Sequence, residues 1–292
     1  MTSRTPVLSV VPLLVGCLGV RNVEPGWLDG GTGDGDDAAD GSGGAGEIDV
    51  QEGCDEDDVN TTDGWRITGS VFDMYTREVP ADPESLCAYA LDPVPVLSGS
   101  EPKFLAGSQV CENGDYVIAE LGVAPTIGMF VSIDDCEGNP DTVMSSATGI
   151  DYDDVKDLGD GDLFANKRAY LVSNEYGRII GDNLDGFDGD AVEIGFMTGF
   201  VLDSSDEPVS GARLSCGGCA DFYYMDTDDT DGLFASGGVL NSATDAAAEA
   251  VFVAPGAPIA TYVSDDGGNH DWEDQLFGSL PGYASFLLFN AQ

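Results

Sequence analysis

Seven cysteines, one histidine and a large excess of carboxylates are the groups through which this 292-residue chain could do chemistry. Cys216-Gly217-Gly218-Cys219 has the CxxC spacing of redox dithiols and zinc half-sites. No second CxxC accompanies it, and His270 is the sole histidine, so a local disulfide is expected. Nucleophilic catalysis by Ser or Cys needs a positioned base, and His270 lies in the polar run Gly267-Gly268-Asn269-His270-Asp271-Trp272. No Gly-x-Ser-x-Gly elbow is present, and one histidine cannot build the two-histidine zinc site of a metallocarboxypeptidase. No glycine-rich loop stands between a strand and a helix to cradle phosphate. Glycosidase chemistry needs only two carboxylates, and a chain with 54 acids does not exclude it. A carboxylate-dependent hydrolase is therefore kept as a remote alternative, and the chain is expected not to be an enzyme.

The acids raise a second chemistry. Asp226, Asp228, Asp229 and Asp231, ahead of Gly232, form a cluster suitable for calcium. Aligning Gly232 with the glycine of a calcium loop puts Thr227 at the first ligand position and Gly238 at the distal glutamate position. A solvated acidic loop is the competing reading, and Ca2+ is the one cofactor to weigh. Fifty-four acids against 10 basic residues give a formal charge of −44. A nucleic-acid partner needs a cationic footprint to displace counterions, and none exists.

The amino terminus indicates the compartment. Arg4 followed by the apolar run Val7 to Val15 has the layout of an export signal over residues 1–16, too short to span a bilayer. The run ends Leu14-Val15-Gly16-Cys17, which resembles the lipobox of bacterial lipoproteins. That resemblance implies a diacylglycerol on the Cys17 thiol. Leu18, in place of Asp, implies outer-membrane sorting, with the protein facing the periplasm or the cell surface. Six cysteines then remain: Cys54, Cys87, Cys111, Cys136, Cys216 and Cys219. An even count in an exported chain favours disulfides. Sequence cannot choose among the pairings; domain membership suggests Cys87 with Cys111 and Cys54 with Cys136.

These groups must be positioned by folded elements, and not all of the chain offers them. Residues 17–63 are dominated by Gly, Asp, Glu, Ser and Thr without an apolar period, which reads as a disordered acidic tether. From Trp65 onward, short alternating apolar runs are broken by Gly, Pro, Asp and Asn, as in an all-β sandwich. Two stretches repeat one another. The first runs from Ile67-Thr68-Gly69-Ser70-Val71-Phe72-Asp73 to Tyr116-Val117-Ile118, and then to the strand Met129–Ile133. The second runs from Met197-Thr198-Gly199-Phe200-Val201-Leu202-Asp203 to Val251-Phe252-Val253, and then to the strand Ile259–Val263. In each, a strand with an inward aromatic precedes a Pro-containing loop.

Gly199, Val201, Asp203, Pro208, Val209, Gly211, Ala212, Thr244, Asp245 and Phe252 resemble the motif of the carboxypeptidase regulatory-like domain, although Ala250 stands where that family has Gly. The resemblance implies a transthyretin-like, or Ig-like, β-sandwich with a supporting or adhesive role. Two tandem sandwiches are expected, at 64–136 and 193–292. A connector at 137–192 carries a helix over 162–182, on the helical spacing of Ala165, Ala169, Val172, Tyr176, Ile179 and Ile180, with Lys167, Asn174 and Arg178 opposite. Asp162 is its candidate N-cap.

The function expected is a non-enzymatic surface lipoprotein, held to the membrane by its lipid, with a structural, adhesive or partner-binding role. Its ligand would be a protein or a carbohydrate, met through Tyr223, Tyr224, Trp272 or Tyr283 unless those side chains are core. A calcium- or ligand-binding accessory lipoprotein of the envelope is the alternative.

Overall fold

Along Trp65–Phe72 every second residue is buried and the residues between are partly exposed, the period of a strand with one face on a core. The same logic recurs along the chain. In the computed structural model the described residues are 50–51, 64–74, 76–98, 100–137, 143–182, 184, 190–205, 207, 209, 211–219, 222–225, 234–236 and 251–291. They form β1 (Val50–Gln51), β2 (Trp65–Asp73), β3 (Leu86–Asp92), β4 (Lys103–Gln109), β5 (Asp115–Leu121), β6 (Met129–Asp135), β7 (Val143–Met144) and β8 (Ser146–Ile150). A one-turn helix α1 (Tyr152–Val155), β9 (Leu163–Ser173), α2 (Asn174–Asp182) and a second single turn α3 (Ala191–Ile194) follow. The rest is β10 (Phe196–Leu202), β11 (Arg213–Cys216), β12 (Tyr223–Met225), β13 (Phe234–Ser236), β14 (Val251–Pro255), β15 (Ala260–Asp265), β16 (Gln275–Phe277) and β17 (Ala284–Asn290).

The all-β sandwich expected from the alternation is present, in three sheets. A ten-stranded sheet runs β1-β4-β3-β6-β8-β17-β10-β14-β12-β13. Where its first half carries Ala88, Ala90, Val131 and Ile133, a four-stranded sheet β5-β2-β9-β7 covers it with Trp65, Ile67, Val71, Tyr116, Ile118 and Leu171. A three-stranded sheet β11-β15-β16 covers the opposite face with Leu214, Tyr262 and Phe277, against Met197, Val201, Phe252 and Leu287. A third cluster, around Phe196, Phe200, Phe286, Tyr170 and Val172, takes in Ile180 of α2. The two sandwiches are thus joined through one sheet, by the parallel pairing of β8 with β17.

The repeat is visible in the pairing. β2 lies antiparallel to β5 and parallel to β9; β10 lies antiparallel to β14 and parallel to β17. The facing pairs correspond too: β3 with β6, and β11 with β15. In the first copy Gly69 is opposite Tyr116, and in the second Gly199 is opposite Phe252, both aromatics fully buried. A Cβ on Gly69 would sit 1.8 Å from the Lys167 carbonyl oxygen, and one on Gly199 would sit 1.7 Å from that of Leu287. At both sites glycine permits a strand approach that any side chain would block.

The helix expected over 162–182 is corrected. Residues 163–173 form β9, and the helix is confined to α2. The run Ala169-Tyr170-Leu171-Val172 is buried on both of its faces, Ala169 and Leu171 in one cluster and Tyr170 and Val172 in another. A continuous apolar run of this length suits a doubly covered strand. Asp162 caps no helix; it precedes β9, its carboxylate accepts from the Gly159 amide, and its carbonyl accepts from the Arg66 amide of β2. β9 also lies over the large sheet, where its Tyr170 and Val172 amides donate to the hydroxyls of Thr148 and Ser146, both at 3.0 Å. The Ser146 hydroxyl itself donates to the Met144 carbonyl, so side-chain hydroxyls satisfy these two buried backbone amides.

Candidate functional site

The main concentration of perturbed acids and phenols lies at the seam between the two copies. On β6, Phe130, Ser132 and Asp134 alternate onto one face. Register with β3 sets Tyr89 opposite Ser132 and Cys87 opposite Asp134. Tyr283 arrives on the turn into β17, and Ser145 on the link between β7 and β8, where its carbonyl accepts from the Ala284 amide. Burial pushes the Asp134 carboxyl up to about 6, against hydrogen bonds from Ser145 and Ser132 that favour its charge; Asp135 adds repulsion. The Ser132 hydroxyl donates to Asp134 at 2.9 Å. Burial, then the Asp134 charge, also raises the phenols of Tyr89 and Tyr283.

This group can take up and release a proton near pH 6. It is not arranged as a nucleophile with its base: Ser132 is fully buried and spends its proton on Asp134. Asp134 and Asp135 are successive strand residues that point to opposite faces, which is not the confrontation of an acid and a nucleophile across a sugar.

A second unusual group is Lys167. The β2–β9 ladder carries an extra residue on β9 between the pairs Ile67–Phe164 and Gly69–Lys167. Asn166, with φ of 60°, takes up that bulge in the left-handed region asparagine tolerates. The Lys167 ammonium donates to the Gly149 carbonyl, and its own carbonyl accepts from the Tyr116 hydroxyl at 3.0 Å. Burial lowers its amine to about 8, with Asp154 pulling the other way. Burial first, and then Asp151, raises the Asp154 carboxyl.

His270 is held locally. Its Nδ1 lies 2.6 Å from Asp266 Oδ2, and its ring centroid is 5.3 Å from that of Trp272. Asp266 also accepts from the Asn269 and His270 amides. Burial opposes the Asp266 charge, yet the His270 ring and these amides outweigh it and hold the carboxyl below its ordinary range. The pair closes its own loop.

The expected disulfides are partly redrawn. Cys87 bonds to Cys136, not to Cys111, because antiparallel β3 and β6 bring the start of one beside the end of the other. This pairing also removes Cys54 as the partner of Cys136. Cys111 is bonded to a partner outside the described residues, and Cys216 to Cys219 locally, as the spacing predicts. Cys17, Cys54 and the calcium candidates Asp226, Asp228, Asp229 and Asp231 lie outside the described residues. Of the aromatics weighed as contacts, Tyr223 and Tyr224 are core, while Trp272 and Tyr283 pack half-buried against it. Trp272 donates its indole N–H to the Leu202 carbonyl. Among the large apolar side chains, Leu276 and Ile259 stand exposed instead.

Asp134 could have been found from the alternation of Phe130, Ser132 and Asp134. Lys167 could not, because a helical period placed it on a solvent face.

No protein-family model and no curated protein matches the chain. Among solved structures it is similar to the Bacillus anthracis TIE protein, at 10% identity and a TM-score of 0.21, over 79% of this chain and 34% of that one. It is similar to a streptococcal ancillary pilin at 9% and 0.24, over 80% and 64%, and to the shaft pilin SpaA of Lactobacillus rhamnosus GG at 10% and 0.23, over 80% and 99%. The chain spans about a third of the first of these and less than two thirds of the second. Superposition at this level leaves the role of the molecule to be argued from its own residues.

Proposed function

We propose that this chain is an exported, non-enzymatic protein of the cell envelope, held by a lipid on Cys17 and serving a structural, adhesive or partner-binding role. The observation that carries the reading is that all five described cysteines are disulfide-bonded. Disulfides persist in oxidising compartments and are rare in the cytosol. The groups best suited to chemistry are occupied in holding the fold together: Ser132 with Asp134, Lys167 with Gly149 and His270 with Asp266. Net charge of −44 keeps such a protein soluble and averse to anionic surfaces, so attachment to a membrane falls to the lipid. Behind Cys17, residues 18–49 act as the spacer that lifts the paired sandwiches away from the bilayer, shorter than the expected 17–63 because Val50–Gln51 is already strand β1, paired with β4.

The test is cell fractionation with protease treatment of intact cells. The native chain should sediment with membranes, and a Cys17→Ser variant should leave them for the soluble extracytoplasmic fraction. A native chain recovered from the cytosol, or a variant that stays with the membrane as firmly as the parent, would contradict the reading.

A further inference from the structure

The two described disulfide bridges close loops of very different length. Cys87–Cys136 joins the start of β3 to the end of β6 across 49 residues, with Cys87 only 2% exposed and Cys136 partly exposed. Cys216–Cys219 closes a ring of sequence separation 3 at the end of β11, an edge strand of the three-stranded sheet. The turn between its cysteines, Gly217-Gly218, is exposed, and a Cβ built on either glycine meets nothing within 4 Å. Cys216 and Cys219 are themselves partly exposed and rest against the core beneath β11, so the turn is the side from which an incoming sulfur reaches them. The fold does not depend on the ring, because four register pairs, from Arg213–Asp265 to Cys216–Tyr262, already hold β11 to β15. Stabilisation by a bridge grows with the loop it closes, and this is close to the shortest loop available.

We propose that Cys216–Cys219 is a thiol–disulfide exchange site, opened and re-formed by a partner carrying a vicinal dithiol. The partner thiolate attacks Cys219 Sγ, the cysteine outside the strand. A partner–Cys219 disulfide forms, the Cys216–Cys219 bond breaks, and the Cys216 sulfur leaves as a thiolate that takes up a proton. The second partner thiol then attacks the mixed disulfide at the partner's own sulfur and releases the Cys219 thiolate. The partner ends oxidised by two electrons, and the chain carries two thiols. A monothiol would stall at the first stage, because Cys216, three residues away in a fixed strand, reverses it. Exchange at an accessible bridge is set by access to sulfur and by the leaving thiolate, and a buried bridge is shielded from it.

The experiment treats the folded full chain with graded dithiothreitol as the probe dithiol, alkylates free thiols with N-ethylmaleimide and maps them by peptide mass spectrometry. Cys216 and Cys219 should be alkylated at least ten-fold lower in dithiothreitol than Cys87 and Cys136, with the circular dichroism unchanged. Opening of both bridges at one concentration, or survival of Cys216–Cys219 beyond Cys87–Cys136, would overturn the proposal. With oxidised glutathione, Cys216→Ser should form a mixed disulfide on Cys219 faster than Cys219→Ser does on Cys216. The reverse order would overturn the choice of sulfur. The wild-type measurement stands even if either variant fails to fold.

Discussion

Replacing Gly199 by alanine tests the repeated architecture at its tightest point. The added Cβ would lie 1.7 Å from the Leu287 carbonyl oxygen and 2.7 Å from its carbon, where ordinary contact begins near 3.4 Å. Neither strand can step aside easily, because β10 is held on its other side by β14 and β17 by β8. Relief means parting β10 from β17, which strains or breaks ladder hydrogen bonds worth about 0.5–1.5 kcal/mol each, on top of about 1–3 kcal/mol for overpacking. A loss of about 3 kcal/mol follows, which for a folded part of this size lowers Tm by roughly 6–12 °C. Gly69→Ala should behave alike, since its Cβ meets the Lys167 carbonyl at 1.8 Å and the Tyr116 hydroxyl at 2.6 Å. Gly217→Ala, which meets nothing, is the control and should stay within about 0.5 kcal/mol of the parent. The assay is urea and thermal unfolding followed by circular dichroism and tryptophan fluorescence. Gly199→Ala and Gly69→Ala variants as stable as the control would refute the close strand approach in both copies.

Three further outcomes are expected. Ser146→Ala and Thr148→Val each orphan a buried β9 amide and should each destabilise by about 1–3 kcal/mol in the same unfolding assay. Asp134 binds its proton more tightly folded, near 6, than unfolded, near 3.8. Its burial therefore weakens the fold above pH 6, and the penalty is relieved as pH falls from 6 toward 4. Asp134→Asn should raise stability at pH 7 by on the order of 1–3 kcal/mol and gain little at pH 4, read from unfolding midpoints at the two pH values. Removing Cys87 and Cys136 together should cost about 4 kcal/mol by the chain-entropy relation for a loop of this length, seen as a lower urea midpoint.

Much of the fold could be read from local pattern. The alternation from Ile67 marks β2, the copied run Met197–Asp203 marks β10, and the shared glycine and the inward aromatic mark the equivalent ladders. What escaped was long-range or ambiguous in period. Ala165, Ala169, Val172 and Ile180 fit a helical stripe, but Ala169–Val172 is also an apolar run that a doubly covered strand accepts, and the packing of Thr148 and Ser146 against β9 decides for the strand. The Cys87–Cys136 bond follows from the β3–β6 register, which no spacing rule contains. The seam around Asp134 depends on the parallel meeting of β8 and β17, strands separated by more than a hundred residues, so Tyr283 could not be tied to it beforehand. The candidate contacts Tyr223 and Tyr224 were drawn inward by the same sheet, as members of β12 paired to β14.

Intact-mass and peptide mass spectrometry of the protein extracted from its native membranes bears most directly on whether these sandwiches live outside the cytoplasm on a lipid. The account predicts a mature chain that starts at Cys17, heavier by a diacylglycerol on the thiol, with Cys87 joined to Cys136. A chain that keeps Met1, bears no lipid and carries free thiols would contradict it.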